Sequence, residues 1–210
     1  MSSLRRIGPI VALAAAVLLA AGCGGGKKEA ATTTAPETAQ STSGASAPAL
    51  DPEKTTTVTL ETNQGTFAFD LDVTDSPHTT ASFADLVKKG FFDGLTFHRI
   101  VPGFVIQGGD PNGDGTGGPG YTTVDTPPGD AKYTKGVVAM AKTGAEPPGT
   151  AGSQFFVVTG ADIGLPPDYA LLGKVSSGMA VVDKIDKLGD PATEKPTKRV
   201  VIEKATVTES

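Results

Sequence analysis

The chain has 210 residues and a formal net charge of -5 at pH 7, and its Lys and Arg residues form no dense block beyond the extreme N-terminus. This balance lacks the basic footprint of a nucleic-acid-binding protein, so we expect no nucleic-acid partner. With 27 Gly, 16 Pro and no Trp, the composition favours a loop-rich domain that contains strands over a helical bundle.

Residues 1–22 have the features of a signal peptide for export. Arg5 and Arg6 precede an apolar run from Ile7 to Ala21, which at about 15 residues is too short to span a bilayer but suits a signal-peptide core. Small residues end this run just before Cys23, and this arrangement resembles the bacterial lipobox, in which the cysteine becomes the acylated N-terminus. We therefore expect an exported protein with a lipid anchor at Cys23, held on the outer face of the plasma membrane or facing a periplasm. The alternative is an ordinary secretory signal followed by an incidental cysteine.

Residues 23–54 differ in composition from the rest of the chain. They begin with a Gly triplet after Cys23 and continue rich in Thr, Ala, Ser and Pro, with no apolar periodicity. Such a segment cannot bury enough apolar surface to offset the entropy of ordering it. The sequence predicts a disordered tether at 23–54 and a folded domain at 55–210.

The folded part begins with a predicted hairpin and a predicted helix. Residues 57–61 and 66–72 alternate with period two on either side of Asn63-Gln64-Gly65, which is typical of a β-hairpin. Ser76 and Pro77 suit the N-cap and the first turn of a helix, and Gly90 suits its end. Phe83, Leu86 and Val87 fall on one face of this predicted helix.

The remaining chain predicts more strands and a second helix. The strands are expected at 95–100, 104–107, 136–141, 154–159, 170–175 and 199–208, and the helix at about 179–188. Two helices among seven or eight strands with long Gly/Pro loops predict a mainly β fold, a closed antiparallel barrel with a helix over each end.

Several ordered sequence blocks carry a family resemblance. Residues 97–110 read Phe-His-Arg-Ile-Val-Pro-Gly-Phe-Val-Ile-Gln-Gly-Gly-Asp. The later blocks are Gly-Thr-Gly-Gly at 115–118, Gly-Val-Val-Ala-Met-Ala at 136–141, Ser-Gln-Phe-Phe at 153–156 and Gly-Lys-Val at 173–175. In this order and spacing they resemble the cyclophilin-type peptidyl-prolyl cis-trans isomerases over residues 55–208. The resemblance implies an eight-stranded antiparallel barrel capped by two helices, an enzyme that acts on proline-containing polypeptides, and no cofactor.

The resemblance also implies a substrate groove on the outside of the barrel. Its apolar proline pocket is assigned to Phe104, Val105, Phe156 and Leu165, with Arg99 and Gln107 beside it as polar groups. Arg99, Gln107 and Phe104 are the expected catalytic set. The other residues expected to bind substrate are Ala141 and Thr143 before the proline, Gly115 on the far side, and His98, Lys142, Gln154 and Tyr169.

The chemistry of proline isomerisation explains why Arg99 is singled out. Rotation about an Xaa–Pro bond makes and breaks no covalent bond, so it needs no metal, nucleophile or general base. The twisted amide has a basic proline nitrogen, and a fixed cationic donor binds it better than it binds either planar form. For this reason His98 is expected to have a structural or groove-edge role rather than to act as a base.

Three positions depart from the vertebrate-type pattern of the family: Lys142 replaces Asn, Gly164 replaces Trp, and Tyr169 replaces His. Because that Trp donates a hydrogen bond to cyclosporin, we expect only weak cyclosporin binding. Lys142 suggests a preference for acidic residues next to the proline.

Parts of the sequence also suit two other functions and one other kind of site. A chaperone or scaffold that holds proline-containing chains with little turnover is the main alternative, and a structural surface lipoprotein with a decayed site is less favoured because Arg99, Phe104, Gln107 and Phe156 are all kept. Residues 110–115 imitate the start of a calcium-binding EF-hand loop, but the twelfth position is Tyr121 and not the required Glu. With one Cys and two His in the chain, we expect no metal site.

Overall fold

The computed structural model describes residues 47–210, so the predicted signal peptide, Cys23 and most of the predicted tether lie outside the described residues. The strands of the described part are β1 (Thr56–Thr62), β2 (Gly65–Leu71), β3 (Arg99–Val101), β4 (Val105–Gly108), β5 (Thr123–Val124), β6 (Val137–Met140), β7 (Thr150–Ala151), β8 (Phe155–Val158), β9 (Leu171–Ser177) and β10 (Ile202–Glu209). The helices there are α1 (Pro77–Lys88) and α2 (Met179–Asp186). None of the helices in residues 47–210 has the length and apolar character needed to cross a membrane.

Eight of these strands form one antiparallel sheet in the order β10-β1-β2-β9-β6-β8-β4-β3. The short strands β5 and β7 pair separately. The fold is therefore mainly β with two helices, as the sequence predicts, and the predicted hairpin is confirmed as β1 and β2, whose register runs from Thr57 opposite Asp70 to Thr62 opposite Gly65.

The prediction of a closed barrel is wrong, because the sheet is a half-barrel with ends at β10 and β3. Thr96, which the sequence places in a strand at 95–100, makes one isolated bridge to Val201 and another to Asp110. Neither bridge extends into a ladder, since β3 starts only at Arg99 and β10 only at Ile202. Over residues 47–210, the two sheet ends thus approach each other through isolated backbone contacts such as the Phe97 N–H donating to the Val200 carbonyl at 3.1 Å.

The concave side of the sheet and the helices enclose the main core, which we define as the cluster around the fully buried Phe155. The Phe155 ring lies 5.5 Å from Phe83, 5.8 Å from Phe97, 6.0 Å from Phe92 and 6.4 Å from Phe69, measured between ring centroids. Phe83, Leu86 and Val87 are all buried in this core, which confirms the predicted apolar face of α1. Phe67 and Phe97 are also buried in the main core.

The N-terminus of α1 is capped by a residue from a distant part of the chain. Ser76 occupies the N-cap position, as predicted, but its side chain makes no capping hydrogen bond. Instead the backbone N–H of Thr79 donates to Asp125 at 2.6 Å, and His78 Nδ1 lies 2.8 Å from the other oxygen of that carboxylate. A carboxylate at this end of a helix satisfies a free N–H group and interacts favourably with the helix dipole.

Replacing Asp125 with alanine is expected to lower the free energy of unfolding by about 1–2 kcal/mol, because the buried Thr79 N–H loses its acceptor. The midpoint of urea unfolding measures this. His78→Ala is the matched control: the His78 side chain is 74% exposed, so its loss should cost at most about 1 kcal/mol. Equal shifts for the two variants would contradict capping by Asp125.

Candidate functional site

A row of residues crosses four strands on the convex face of the sheet. Arg99 on β3 lies opposite Gln107 on β4, Gln107 lies opposite Phe156 on β8, and Phe156 lies opposite Ala139 on β6. Directly opposed residues of antiparallel strands project from the same face. The sheet register therefore brings Arg99, Gln107 and Phe156 together, although Phe156 follows Arg99 by 57 positions in the sequence.

An apolar cluster lies on this same face, separate from the main core. Strand alternation produces the separation: Phe155 and Val157 of β8 belong to the main core, whereas Phe156 and Val158 belong to the second group. We call this group the outer cluster; its buried members are Val105, Tyr133, Ala139, Phe156 and Val158, and its partly buried members are Phe104, Val137, Ala141, Ile163, Leu165, Tyr169 and Leu171. All four residues assigned from the sequence to the proline pocket, Phe104, Val105, Phe156 and Leu165, are among them.

Polar side chains border the outer cluster as a continuous hydrogen-bonded chain. Arg99 Nη1 donates to Gln107 Oε1 at 3.3 Å, and Gln107 Nε2 donates to Gln154 Oε1 at 3.1 Å. Gln154 Nε2 donates in turn to the carbonyls of Gly115 and Gly117 at 3.0 and 2.9 Å. The structure thus links the predicted residues Arg99, Gln107, Gln154 and Gly115 in one network.

Arg99 itself is held from two sides. Besides its contact with Gln107, its Nε–H donates to Glu194 Oε2 at 2.7 Å, and its side chain is 35% exposed. A guanidinium has five N–H donors, and these two contacts use only two of them. The other three N–H donors are not used by these contacts and are able to donate to a bound molecule.

The loop that carries Gly115 is organised by Asp110. Its carboxylate, 1% exposed, accepts the backbone N–H groups of Asn112, Asp114 and Gly115. Burial by itself raises the pKa of Asp110, but the three N–H donors outweigh it and hold the pKa below its ordinary value. This carboxylate is occupied by its own loop, and no group of three or more potential metal ligands occurs in the part of the chain that the structure describes.

His98 lies next to this loop at the edge of the site. A Cβ built on Gly115 would be 4.0 Å from His98 Nε2. Burial lowers the pKa of His98 below 6.5, more than the nearby Asp110 raises it, so the imidazole is neutral at pH 7. A neutral imidazole beside Gly115 is consistent with a groove-edge position.

The lowered pKa of His98 predicts a pH dependence of stability. As the pH falls below 6.5, the unfolded chain gains a proton at His98 that the folded protein resists, so the free energy of unfolding should decrease. Urea unfolding at several pH values on both sides of 6.5 measures this. His98→Gln, which cannot titrate, should show a smaller decrease, and an identical decrease in both proteins would contradict this role for His98.

The structure corrects the expectation for Lys142. Its ammonium lies 2.8 Å from Asp168 Oδ2, its side chain is only 3% exposed, and it lies 5.6 Å from the centroid of the Tyr169 ring. The positive charge is therefore neutralised inside the protein, and the suggested preference for acidic substrates is withdrawn. Thr143 also has an internal partner, since its N–H and hydroxyl donate to Glu146 at 2.6 and 2.8 Å.

Sequence reasoning missed three residues that shape the site: Tyr133, Asp168 and Glu194. The fully buried Tyr133 hydroxyl donates to the Tyr169 carbonyl at 2.6 Å and accepts the Tyr169 N–H at 3.0 Å, which fixes Tyr169 over the outer cluster. Asp168 binds Lys142, and Glu194 binds Arg99. None of the three lies in a recognisable motif, and each acts across a long sequence separation or from a loop.

Comparisons with known proteins place the chain in a family. Residues 57–207 match the family described as "Cyclophilin type peptidyl-prolyl cis-trans isomerase/CLD". The chain is 41% identical over 140 residues to a peptidyl-prolyl cis-trans isomerase of Helicobacter pylori, covering 65% of this chain and 83% of that protein. It is 37% identical over 159 residues to the peptidyl-prolyl cis-trans isomerase-like 1 of Gibberella zeae, covering 74% and 96%.

A solved structure is also similar. The crystal structure of a Cryptosporidium parvum cyclophilin type peptidyl-prolyl cis-trans isomerase gives a TM-score of 0.68 at 30% identity and covers 74% of this chain and 99% of that one. A second crystal structure of that protein, in the presence of the dipeptide Ala-Pro, gives a TM-score of 0.67 at 29% identity and covers 73% and 99%.

Proposed function

The chain belongs to the cyclophilin-type peptidyl-prolyl cis-trans isomerases, an enzyme family, and on that premise we propose how its own residues carry out the reaction. Arg99 donates a hydrogen bond to the nitrogen of a twisted Xaa–Pro amide while the outer cluster holds the proline ring. The observation that carries the proposal is the row of Arg99, Gln107 and Phe156 on one sheet face. This row puts a fixed cation beside an apolar surface.

The energetics of the amide bond explain why such a site accelerates rotation. The barrier is about 18–20 kcal/mol because of amide resonance. In the twisted form conjugation is lost and the nitrogen becomes a hydrogen-bond acceptor. A donor held in place beforehand binds this form more tightly than it binds the planar ground states, which lowers the barrier.

Each part of the site has a task in this proposal. The proline ring of the substrate is contacted by Phe104, Val105, Phe156 and Leu165. The substrate residue before the proline lies beside Ala141 and Thr143. Gln107 accepts a hydrogen bond from one Arg99 N–H and so holds the guanidinium beside the outer cluster. Gly164 provides no side chain where the vertebrate-type members carry the Trp that donates a hydrogen bond to cyclosporin, so weak cyclosporin binding stays a prediction.

A protease-coupled isomerisation assay on the full-length chain with an Ala-Pro peptide tests the proposal. We expect acceleration of the cis-to-trans step at catalytic protein concentration. Peptide binding without acceleration would contradict the proposal and would favour the alternative of a chaperone or scaffold that holds proline-containing chains.

We further propose that the protein works outside the cytoplasm, on exported polypeptides, from a lipid anchor at Cys23. Support comes from the sequence alone: the basic start at Arg5 and Arg6, the apolar run, and the small residues before Cys23. Mass spectrometry of the mature protein from a bacterial host should find an N-terminal, acylated Cys23. A Cys23 that is unmodified or absent from the mature N-terminus would contradict the anchor.

A further inference from the structure

We propose that Glu194 is a positioning residue for Arg99, which orients the guanidinium so that its remaining N–H groups point into the groove. This inference rests on the proposed role of Arg99 in catalysis. Glu194 lies in the loop between α2 and β10, and it is 95 positions away from Arg99 in the chain.

The contact geometry is suited to orientation. Glu194 Oε2 accepts the Nε–H of Arg99 at 2.7 Å, while Gln107 Oε1 accepts a hydrogen from Nη1 at 3.3 Å. Two acceptors at different atoms of a planar group fix both its position and its rotation. With only one of them, the guanidinium would be able to rotate about its long side chain.

The backbone of Glu194 supports a functional reading of this contact. Its φ is 57°, and within residues 47–210 no other non-glycine residue has a positive φ. Left-handed backbone is unfavourable for a residue such as Glu and persists only where surrounding contacts enforce it, frequently at functional sites.

Three backbone hydrogen bonds enforce this conformation. The Glu194 N–H donates to the Asp190 carbonyl at 2.7 Å, and the Asp190 N–H donates to the Lys195 carbonyl at 2.9 Å. The Ile100 N–H donates to the Glu194 carbonyl at 2.8 Å. Since Ile100 directly follows Arg99, the backbone of Glu194 is attached to the strand that carries Arg99.

Stability alone does not account for this arrangement. The Arg99 and Glu194 side chains are 35% and 48% exposed, and ion pairs this accessible to water contribute little to folding. A glycine would adopt the same backbone conformation without strain. The backbone at position 194 therefore does not require a side chain, and folding alone does not explain why a carboxylate is present there.

Glu194→Gly in the full-length chain separates positioning from folding. We expect kcat/KM for an Ala-Pro peptide to fall roughly 10- to 100-fold, with little change in melting temperature and in the dissociation constant of the peptide. Glu194→Gln keeps the reach and one oxygen acceptor, and it should recover part of the loss. Glu203→Gln, which removes the same charge from an exposed position of β10, should be fully active.

Introducing Glu194→Gly into Arg99→Ala tests whether the effect passes through Arg99. We expect no further loss of rate in the double variant. The proposal would be overturned if Glu194→Gly lowered the rate as much in the Arg99→Ala protein as it does in the natural protein. It would also be overturned if the activity and the melting temperature of the Glu194→Gly single variant fell together.

The failure of this inference is distinguishable from failure of the proposed function. If Arg99→Ala is slow and Glu194→Gly is fully active, only the role of Glu194 is wrong. If Arg99→Ala is itself fully active, the proposed mechanism is wrong.

Discussion

Replacing Arg99 with alanine is expected to lower kcat/KM for prolyl isomerisation by about 100- to 1,000-fold, the usual cost of removing one preorganised donor to a transition state. The variant keeps the outer cluster, so it should still bind proline peptides. In the proposed mechanism, it loses the hydrogen bond that Arg99 donates only when the amide is twisted. The coupled assay on the full-length chain measures the rate.

The fold should survive this substitution. Arg99 lies on the convex face, outside the main core, and its ion pair with Glu194 is accessible to water, so its contribution to stability is small. Arg99→Lys is the informative companion, because it keeps the charge but cannot contact Glu194 and Gln107 in the same planar geometry. We expect an intermediate rate, and a full rate for Arg99→Ala would contradict the mechanism.

Replacing Phe155 with alanine is expected to lower the free energy of unfolding by about 3–5 kcal/mol. The side chain is fully buried and packs against aromatic rings from β2, from α1 and from the single segment that joins α1 to β3. Its loss leaves a cavity that four surrounding rings cannot all move to fill. Urea unfolding followed by circular dichroism measures the loss.

The next residue provides the matched control. Phe156 points to the opposite face, into the outer cluster, where its aromatic neighbours are Tyr133 and Tyr169. Phe156→Ala should destabilise the fold less than Phe155→Ala and should weaken peptide binding more. If Phe156→Ala destabilised the fold more than Phe155→Ala and weakened peptide binding less, the assignment of the two faces of β8 would be wrong.

The sequence predicts the local elements well because their signals are local. The period-two hairpin and the apolar stripe of Phe83, Leu86 and Val87 depend on residues within a few positions of one another. Closure of the barrel depends instead on pairing between segments about 100 positions apart. There Thr96 makes only single bridges, and no local pattern shows that the ladder stops.

The residues of the candidate site likewise fall into those that sequence motifs identify and those that only tertiary contacts reveal. Arg99, Gln107 and Phe156 belong to motifs, so the family resemblance identifies them. Glu194 is not part of a motif, and its contact with Arg99 arises only because the loop after α2 returns to β3. For Lys142 the sequence misleads in the opposite direction. Its residue type suggests a positive charge available to substrate, but the ion pair with Asp168 is visible only in three dimensions.

The most direct test of the central claim is the exchange rate of an Ala-Pro peptide bound to the protein, measured by NMR exchange spectroscopy. Free peptides isomerise in tens to hundreds of seconds. We predict rapid cis–trans exchange on the full-length protein and binding without rapid exchange on Arg99→Ala. Equal exchange rates on the two proteins, or binding to the natural protein without accelerated exchange, would contradict catalysis by Arg99.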